Sequence, residues 1–267
     1  MYAIVRPWEP RPGGLLSGAP LPLLVGLGVL TAGAGVLATA EAVPLTLARA
    51  FGAGGAQGAL LATAVAWAAP RGGPAPALAA AIVLVGALGA TLAPFGAAVY
   101  LAAPVWLWRQ RARLPGLGLA RASAGLVAAG AVLGALLGAH LLVTASLTLG
   151  YGVRAPALDV LAPWLAYDLG GNVLTTEAFV RGALFDRVQR RWPFGGAAAL
   201  VTAVCLARYL VDPLLPHSLE VAAGAVFYLT LLSLGNCWLY WRSGSIVPGV
   251  VAAVAFFAAY RLLHVVP

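Results

Sequence analysis

The sequence contains very little charge for its length, and this scarcity determines its class. Of its 267 residues only 9% are charged and 62% are hydrophobic, and the mean hydropathy is +0.94. A soluble globular domain of this size needs far more charge to cover its surface, so that class is excluded. A β-barrel is excluded too, because its strands alternate polar and apolar residues over about ten positions. The recurring apolar runs therefore predict an all-α, polytopic membrane helix bundle.

The sequence also lacks lysine: its sixteen basic residues are all arginines, set against eight acidic residues, for a net charge of +8. No polar domain is present that could hold a nucleic acid, so we expect no such partner. Arginines that flank apolar spans instead mark the cytoplasmic side of a membrane. The expected partner is the lipid bilayer. The absence of lysine and the heavy use of Ala, Gly and Leu indicate a GC-rich coding sequence. Together with the compact helical plan, this favours the inner membrane of a bacterium.

Cysteine is scarce as well. Cys205 and Cys237 both lie inside apolar segments, where we expect small buried hydrophobic side chains. The absence of Cys-x-x-Cys, of a Cys/His cluster and of His-Glu-x-x-His argues against a zinc site. We expect neither a metal nor a cofactor.

Eight transmembrane spans are predicted, or nine if the longest apolar run is divided. They cover approximately residues 17–44, 55–69, 77–108, 123–148, 158–185, 196–211, 219–240 and 245–264. The run 77–108 is too long for one upright helix of ~20 residues and too short for two. Pro94, followed by Phe95 and Gly96, should therefore kink or split it.

A few ionisable residues interrupt these spans, where a charged side chain is costly and indicates function by default. They are Glu41, His140, Asp168, Glu177, Arg181 and Arg208, with His264 near the end of the last span. Glu41 should lie at the interface between the membrane and water. We expect His140 to be a hydrogen-bonded core histidine and not a ligand.

Tyr167 and Asp168 resemble one half of a presenilin-type aspartyl protease site. The other half, a Gly-x-Gly-Asp motif, is absent, and one carboxylate cannot share a proton with a missing partner. The Gly170–Gly171 pair further predicts a helix break, which would leave Asp168 near a helix end and Asn172 as an N-cap. We therefore reject this site.

The clearest motif is TTEAFVRG, at 175–182. The spacing of four residues places Glu177 and Arg181 on one helix face in adjacent turns, where they can form a charge-assisted hydrogen bond. The pair can simply hold this helix against its neighbours, because pairing lowers the cost of burying each charge.

The stretch TEAFVRGALFDRV, at 176–188, resembles the first motif of the CPBP family, the CAAX-processing and bacteriocin-processing intramembrane endopeptidases. That motif reads Glu-Glu-x-x-x-Arg and typically continues with Gly. Glu177 matches its second glutamate, Arg181 its arginine and Gly182 its glycine.

Two later segments, 193–210 and 235–257, resemble the family's second-motif helix and its closing stretch. The resemblance covers about 160–260. We accordingly divide the chain into a polar N-terminal tail (1–14), N-terminal transmembrane helices (15–150) and a CPBP-like core (151–267).

The resemblance implies glutamic-type peptide hydrolysis, in which the first glutamate activates water while histidines and an asparagine position it and stabilise the oxyanion. Most of these residues are missing. Thr176 stands where the first glutamate is expected, Arg208 and Tyr209 stand near the second-motif histidine, and 252–257 reads AAVAFF where a histidine and an asparagine are expected. A threonine hydroxyl is no base near neutral pH, and an arginine stays protonated.

We therefore predict a CPBP-like protein with a degenerate active site that binds a transmembrane protein or peptide substrate without cutting it. The candidate site residues are Glu177 and Arg181, with Thr176 and Arg208 at degenerate motif positions. Two alternatives stay open. One is a divergent peptidase that uses Glu177; the other is a small membrane transporter, or a transporter subunit, in which Glu177, Arg181 and Arg208 line a polar pathway.

Overall fold

A computed structural model of the chain describes residues 16–69, 74–93, 95–210 and 219–264. The described residues are helical apart from connecting segments and one short antiparallel pair of strands, β1 (Gly152–Val153) and β2 (Leu263–His264). The predicted all-α class is thus confirmed. The predicted N-terminal tail lies outside the described residues, as does Pro94.

Eleven α-helical segments are described. The first five are α1 (Leu21–Thr39), α2 (Leu45–Ala68), α3 (Pro76–Leu92), α4 (Ala102–Gln110) and α5 (Ala124–Leu149). The others are α6 (Leu158–Tyr167), α7 (Leu174–Glu177), α8 (Asp186–Val188), α9 (Phe194–Leu210), α10 (Leu219–Ser243) and α11 (Val247–Tyr260). Three 3₁₀ helices connect them, at Gly96–Leu101, Arg111–Arg113 and Pro115–Leu117. Two π-helical segments, Asp168–Val173 and Ala178–Phe185, join α6, α7 and α8 into one helical run.

Three of the described helices, α1, α5 and α10, are long and apolar enough to cross a bilayer. Three more, α3, α9 and α11, are apolar but shorter. This supports the predicted membrane helix bundle.

The long apolar run at 77–108 is divided as predicted. Helix α3 ends at Leu92, and the chain resumes as a 3₁₀ helix at Gly96. A Cβ atom at Gly96 would overlap the carbonyl group of Gly89, so the chain can fold back closely on α3 only because residue 96 is a glycine.

The helices group into two compact units. The first comprises residues 16–119 and 162–183, and the second 120–161 and 184–264. In the first unit α2 packs against both α1 and α3. The core of α2 consists of small and branched apolar side chains, Leu61, Ala62, Ala64 and Val65, which are fully buried.

In the second unit α5 packs against α11 along a line of glycines, Gly130, Gly134 and Gly138. A Cβ atom at Gly130 or Gly134 would overlap a backbone carbonyl of α11, that of Pro248 or Ala252. Such lines of small residues let two membrane helices approach closely and gain van der Waals contact.

The same unit contains both cysteines, and their side chains are buried as predicted.

Candidate functional site

The motif that resembles the CPBP family lies on the helical run from Leu158 to Val188, which continues through Gly170 and Gly171. The predicted break at these glycines was therefore wrong. The physical reason is packing: a Cβ atom at either position would overlap Tyr100, so the glycines admit the Tyr100 side chain and backbone against the helix. Tertiary contact here outweighs the local tendency of glycine to end a helix.

Asp168 accordingly lies within the run and is fully buried. Asn172 is not an N-cap. It is buried too, and its side-chain Nδ2 donates to Oδ1 of Asp168 over 3.3 Å. The two side chains are four residues apart and share one face of the helix.

Two threonine hydroxyls bond to the backbone of the π-helical segment Asp168–Val173. Thr175 Oγ1 donates to the carbonyl of Gly171, and Thr176 Oγ1 donates to the carbonyl of Asn172 over 2.7 Å. A π turn shifts carbonyl groups out of the regular i→i+4 ladder, and these hydroxyls supply donors to two of them. Thr176, at the position of the first motif glutamate, is buried and donates to its own helix.

The predicted ion pair is present. Arg181 Nη1 lies 3.1 Å from Glu177 Oε1, and both side chains are almost completely buried. Arg181 is the largest of the fully buried side chains among the described residues. Each charge would be very costly to bury alone, and the other compensates part of that cost.

Gly182, the glycine that follows the motif arginine, has a steric role. A Cβ atom there would lie 2.6 Å from the carbonyl oxygen of Leu117, which is itself fully buried. The glycine therefore lets the motif helix contact the 3₁₀ helix Pro115–Leu117.

One polar residue near the motif helix was missed at the level of sequence. Gln57 is buried on α2, and its Nε2 donates to the hydroxyl of Tyr167 over 3.0 Å. The Tyr167 ring in turn meets the Tyr100 ring edge to face, with centroids 5.4 Å apart. A signal existed, since Gln57 is an isolated amide in an apolar span, but only ionisable residues were considered.

Arg208, which the resemblance puts near the second-motif histidine, lies in the last turn of α9 in the second unit. Its guanidinium carbon lies over the Tyr209 ring, 4.4 Å from the centroid. The Tyr209 ring also contacts Phe257, with centroids 5.6 Å apart. The structure thus brings Tyr209 together with Phe257 in this unit, and these residues lie near the places where the resemblance leads us to expect the histidines of the second and third motifs.

These aromatic rings extend to α10, where Tyr228 contacts Phe256 with centroids 6.0 Å apart. The Tyr228 hydroxyl also lies 2.8 Å from Nδ1 of His140. His140 is hydrogen-bonded as predicted, but it is exposed and not in the core. Residue 140 lies away from the glycine line that packs against α11, and its side chain contacts Tyr228 of α10 instead. No group of His, Cys, Asp and Glu that could hold a metal occurs among the described residues.

The described helices define the class of fold, an all-α membrane helix bundle. Within it, residues 159–258 match the family model described as type II CAAX prenyl endopeptidase Rce1-like. This match confirms the resemblance to the CPBP family over that segment, which contains all three motif regions. Over that segment the chain is similar to CAAX-protease-like intramembrane proteases, and its long apolar helices are those of an integral membrane protein. No curated protein and no solved structure matches the chain.

Proposed function

We propose that this protein binds a transmembrane protein or peptide in the membrane and does not hydrolyse it. The observation that supports the proposal most directly is the hydrogen bond of the Thr176 hydroxyl. Thr176 occupies the motif position of the water-activating glutamate, and its hydroxyl donates to the Asn172 carbonyl of its own helix. A hydroxyl in this arrangement supplies no base for the attack of water on a peptide bond.

Glu177 is the nearest carboxylate that could take over as the base. It follows Thr176 directly, so an ordinary helix turns it by about 100° away from that position. It also faces the guanidinium of Arg181 over 3.1 Å. Its Oε1 is thus already engaged by a cation, and the side chain is almost completely buried. These features favour a structural role for Glu177.

The second unit supports the same proposal. A hydrolytic site needs hydrogen-bond donors aimed at the developing oxyanion. At the later motif positions this chain has the Tyr209 and Phe257 rings in contact, with Phe256 and Tyr228 adjoining them. The Arg208 guanidinium, the strongest donor there, lies over the Tyr209 ring. Aromatic rings offer apolar contact area, which suits a hydrophobic transmembrane segment or a lipid-modified peptide.

By its GC-rich composition we place the protein in the inner membrane of a bacterium.

The experiment measures binding and cleavage of the same probe. A prenylated CAAX peptide that carries a photo-crosslinker tests the substrate type in the name of the matched family, and a crosslinkable transmembrane peptide tests the broader class. We expect crosslinking of at least one probe to the purified protein, with no product detected by mass spectrometry. The matched variant is Glu177→Gln, which keeps the size of the side chain and removes its charge.

Two results would contradict the proposal. Cleavage by the wild-type protein that is abolished in Glu177→Gln, while crosslinking persists, would establish the divergent peptidase. Failure of both probes to crosslink would remove the binding role and direct attention to transport, for which flux of small solutes into proteoliposomes is the test.

A further inference from the structure

Three arginines follow one another closely where α4 ends. Arg109, Arg111 and Arg113 are all exposed, and we refer to them as the arginine patch. Arg109 belongs to the last turn of α4, and the other two belong to the short 3₁₀ helix Arg111–Arg113. The patch plays no part in the motif site described above.

The segment before the patch has the character of a lipid-facing surface. Phe95, Val99, Leu101 and Val105 are exposed apolar side chains. The six residues of the 3₁₀ helix Gly96–Leu101 and the nine of α4 together rise about 25 Å. The hydrocarbon core of a bilayer is about 30 Å thick. A segment of this length is long enough to bring the arginines near the lipid headgroups when it lies across the bilayer.

Trp108 marks the boundary between the apolar segment and the patch. Its side chain is 45% exposed, and exposed tryptophans concentrate where a membrane meets water. The guanidinium of Arg111 lies 4.5 Å from the centroid of the Trp108 ring, and its Nη1 donates to the Trp108 carbonyl over 2.9 Å. Arg111 is therefore held in one orientation, with further N–H groups available.

Within the described part of the chain no carboxylate pairs with the patch. The sequence contains no acidic residue between Glu41 and Asp159. Among the residues that the structure describes, none of the three arginines forms an ion pair. Three exposed guanidinium groups within five residues concentrate positive charge that attracts anions, and the planar N–H fork of arginine matches phosphate oxygens.

We propose that the arginine patch binds the phosphate headgroups of anionic phospholipids. A lipid fits better than a soluble acidic partner, because the exposed Trp108 ring and the apolar residues before it lie beside the charges. An anionic lipid satisfies both requirements, since its phosphate faces the arginines while its acyl chains lie along the apolar segment. The attraction of each arginine at an anionic surface makes such binding specific for charge.

The test uses the full-length protein in a neutral detergent, with short-chain phosphatidylglycerol and phosphatidylcholine as probes. Native mass spectrometry measures the affinity of each. We expect tighter binding of phosphatidylglycerol, weakened by added salt. In R109Q/R113Q that affinity should fall roughly 25-fold, or about fivefold for each arginine removed. The control R49Q/R154Q removes two other exposed arginines and should leave the affinity unchanged.

Two outcomes would overturn the proposal. Equal binding of the two lipids would show that the patch does not select anionic headgroups. Equal losses in R109Q/R113Q and R49Q/R154Q would show that net charge, and not the patch, attracts the lipid. The unfolding temperatures of both variants verify that they fold.

Discussion

Two ion pairs on the same stretch of the chain have the same spacing but different surroundings. Glu177 and Arg181 are 3.1 Å apart, with side chains 4% and 1% exposed. Asp186 and Arg190 are 2.8 Å apart, with side chains 6% and 18% exposed. The acids are similarly buried, and the difference lies in the arginines. The spacing of four residues predicts that both pairs form. Burial determines how much each pair contributes to the free energy of unfolding.

The reason is the reach of the arginine side chain. Arg190 lies just after α8 ends, beside Arg191, so its guanidinium remains partly in contact with solvent. Long basic side chains commonly place their stem on protein and their charge in water. The charge of Arg181 does not reach solvent, because the residue is buried along its whole length. Its charge is tolerated because the carboxylate of Glu177 is next to it.

The largest effect is therefore expected for Arg181→Met. The substitution keeps much of the volume and leaves the Glu177 carboxylate buried without the guanidinium. Breaking a buried pair in this way costs about 3–5 kcal/mol, which an SDS titration in mixed micelles measures as a loss of unfolding free energy. The double variant E177L/R181M removes both charges and should recover most of the loss. An equal loss in the single and the double variant would mean that the pair is not the cause.

A second prediction compares this charged contact with the steric contact between α5 and α11. Gly134→Ala places a Cβ atom into the Ala252 carbonyl group, and the overlap should cost about 1–3 kcal/mol. Gly125 lies on the same helix and has open space where a Cβ atom would project, so Gly125→Ala is the matched control. Thermal unfolding should separate the two variants. Similar behaviour of both would contradict the close approach of these helices.

The sequence predicted the features that depend on local pattern. Apolar runs identified the helices, and the helical period paired Glu177 with Arg181. Local pattern wrongly predicted a helix break at Gly170 and Gly171. The helix continues there because Tyr100, a residue far away along the chain, packs against both glycines. Local pattern also could not predict the contact of Tyr209 with Phe257, since nothing in either segment specifies the other. The roles assigned to the site residues stay predictions.

A third prediction concerns an uncharged interaction on the motif helix. Thr176→Val has nearly the same shape and removes the hydroxyl that donates to the Asn172 carbonyl. The expected loss of unfolding free energy is about 1 kcal/mol. Thr176→Ser keeps the donor and should stay closer to the wild type. If serine is as destabilising as valine, then the hydroxyl does not support the π-helical segment.

The smallest effect is expected for Arg190→Gln, which completes the comparison of the two pairs. Because Arg190 is partly exposed, water can replace it beside Asp186, and the loss should stay below about 1 kcal/mol. Raising the salt to about 1 M should shrink it further, because exposed charges are screened. The loss in Arg181→Met should change little with salt, because mobile ions do not reach a pair that is buried on both sides. Equal losses in the two variants at both salt concentrations would show that burial does not distinguish the pairs.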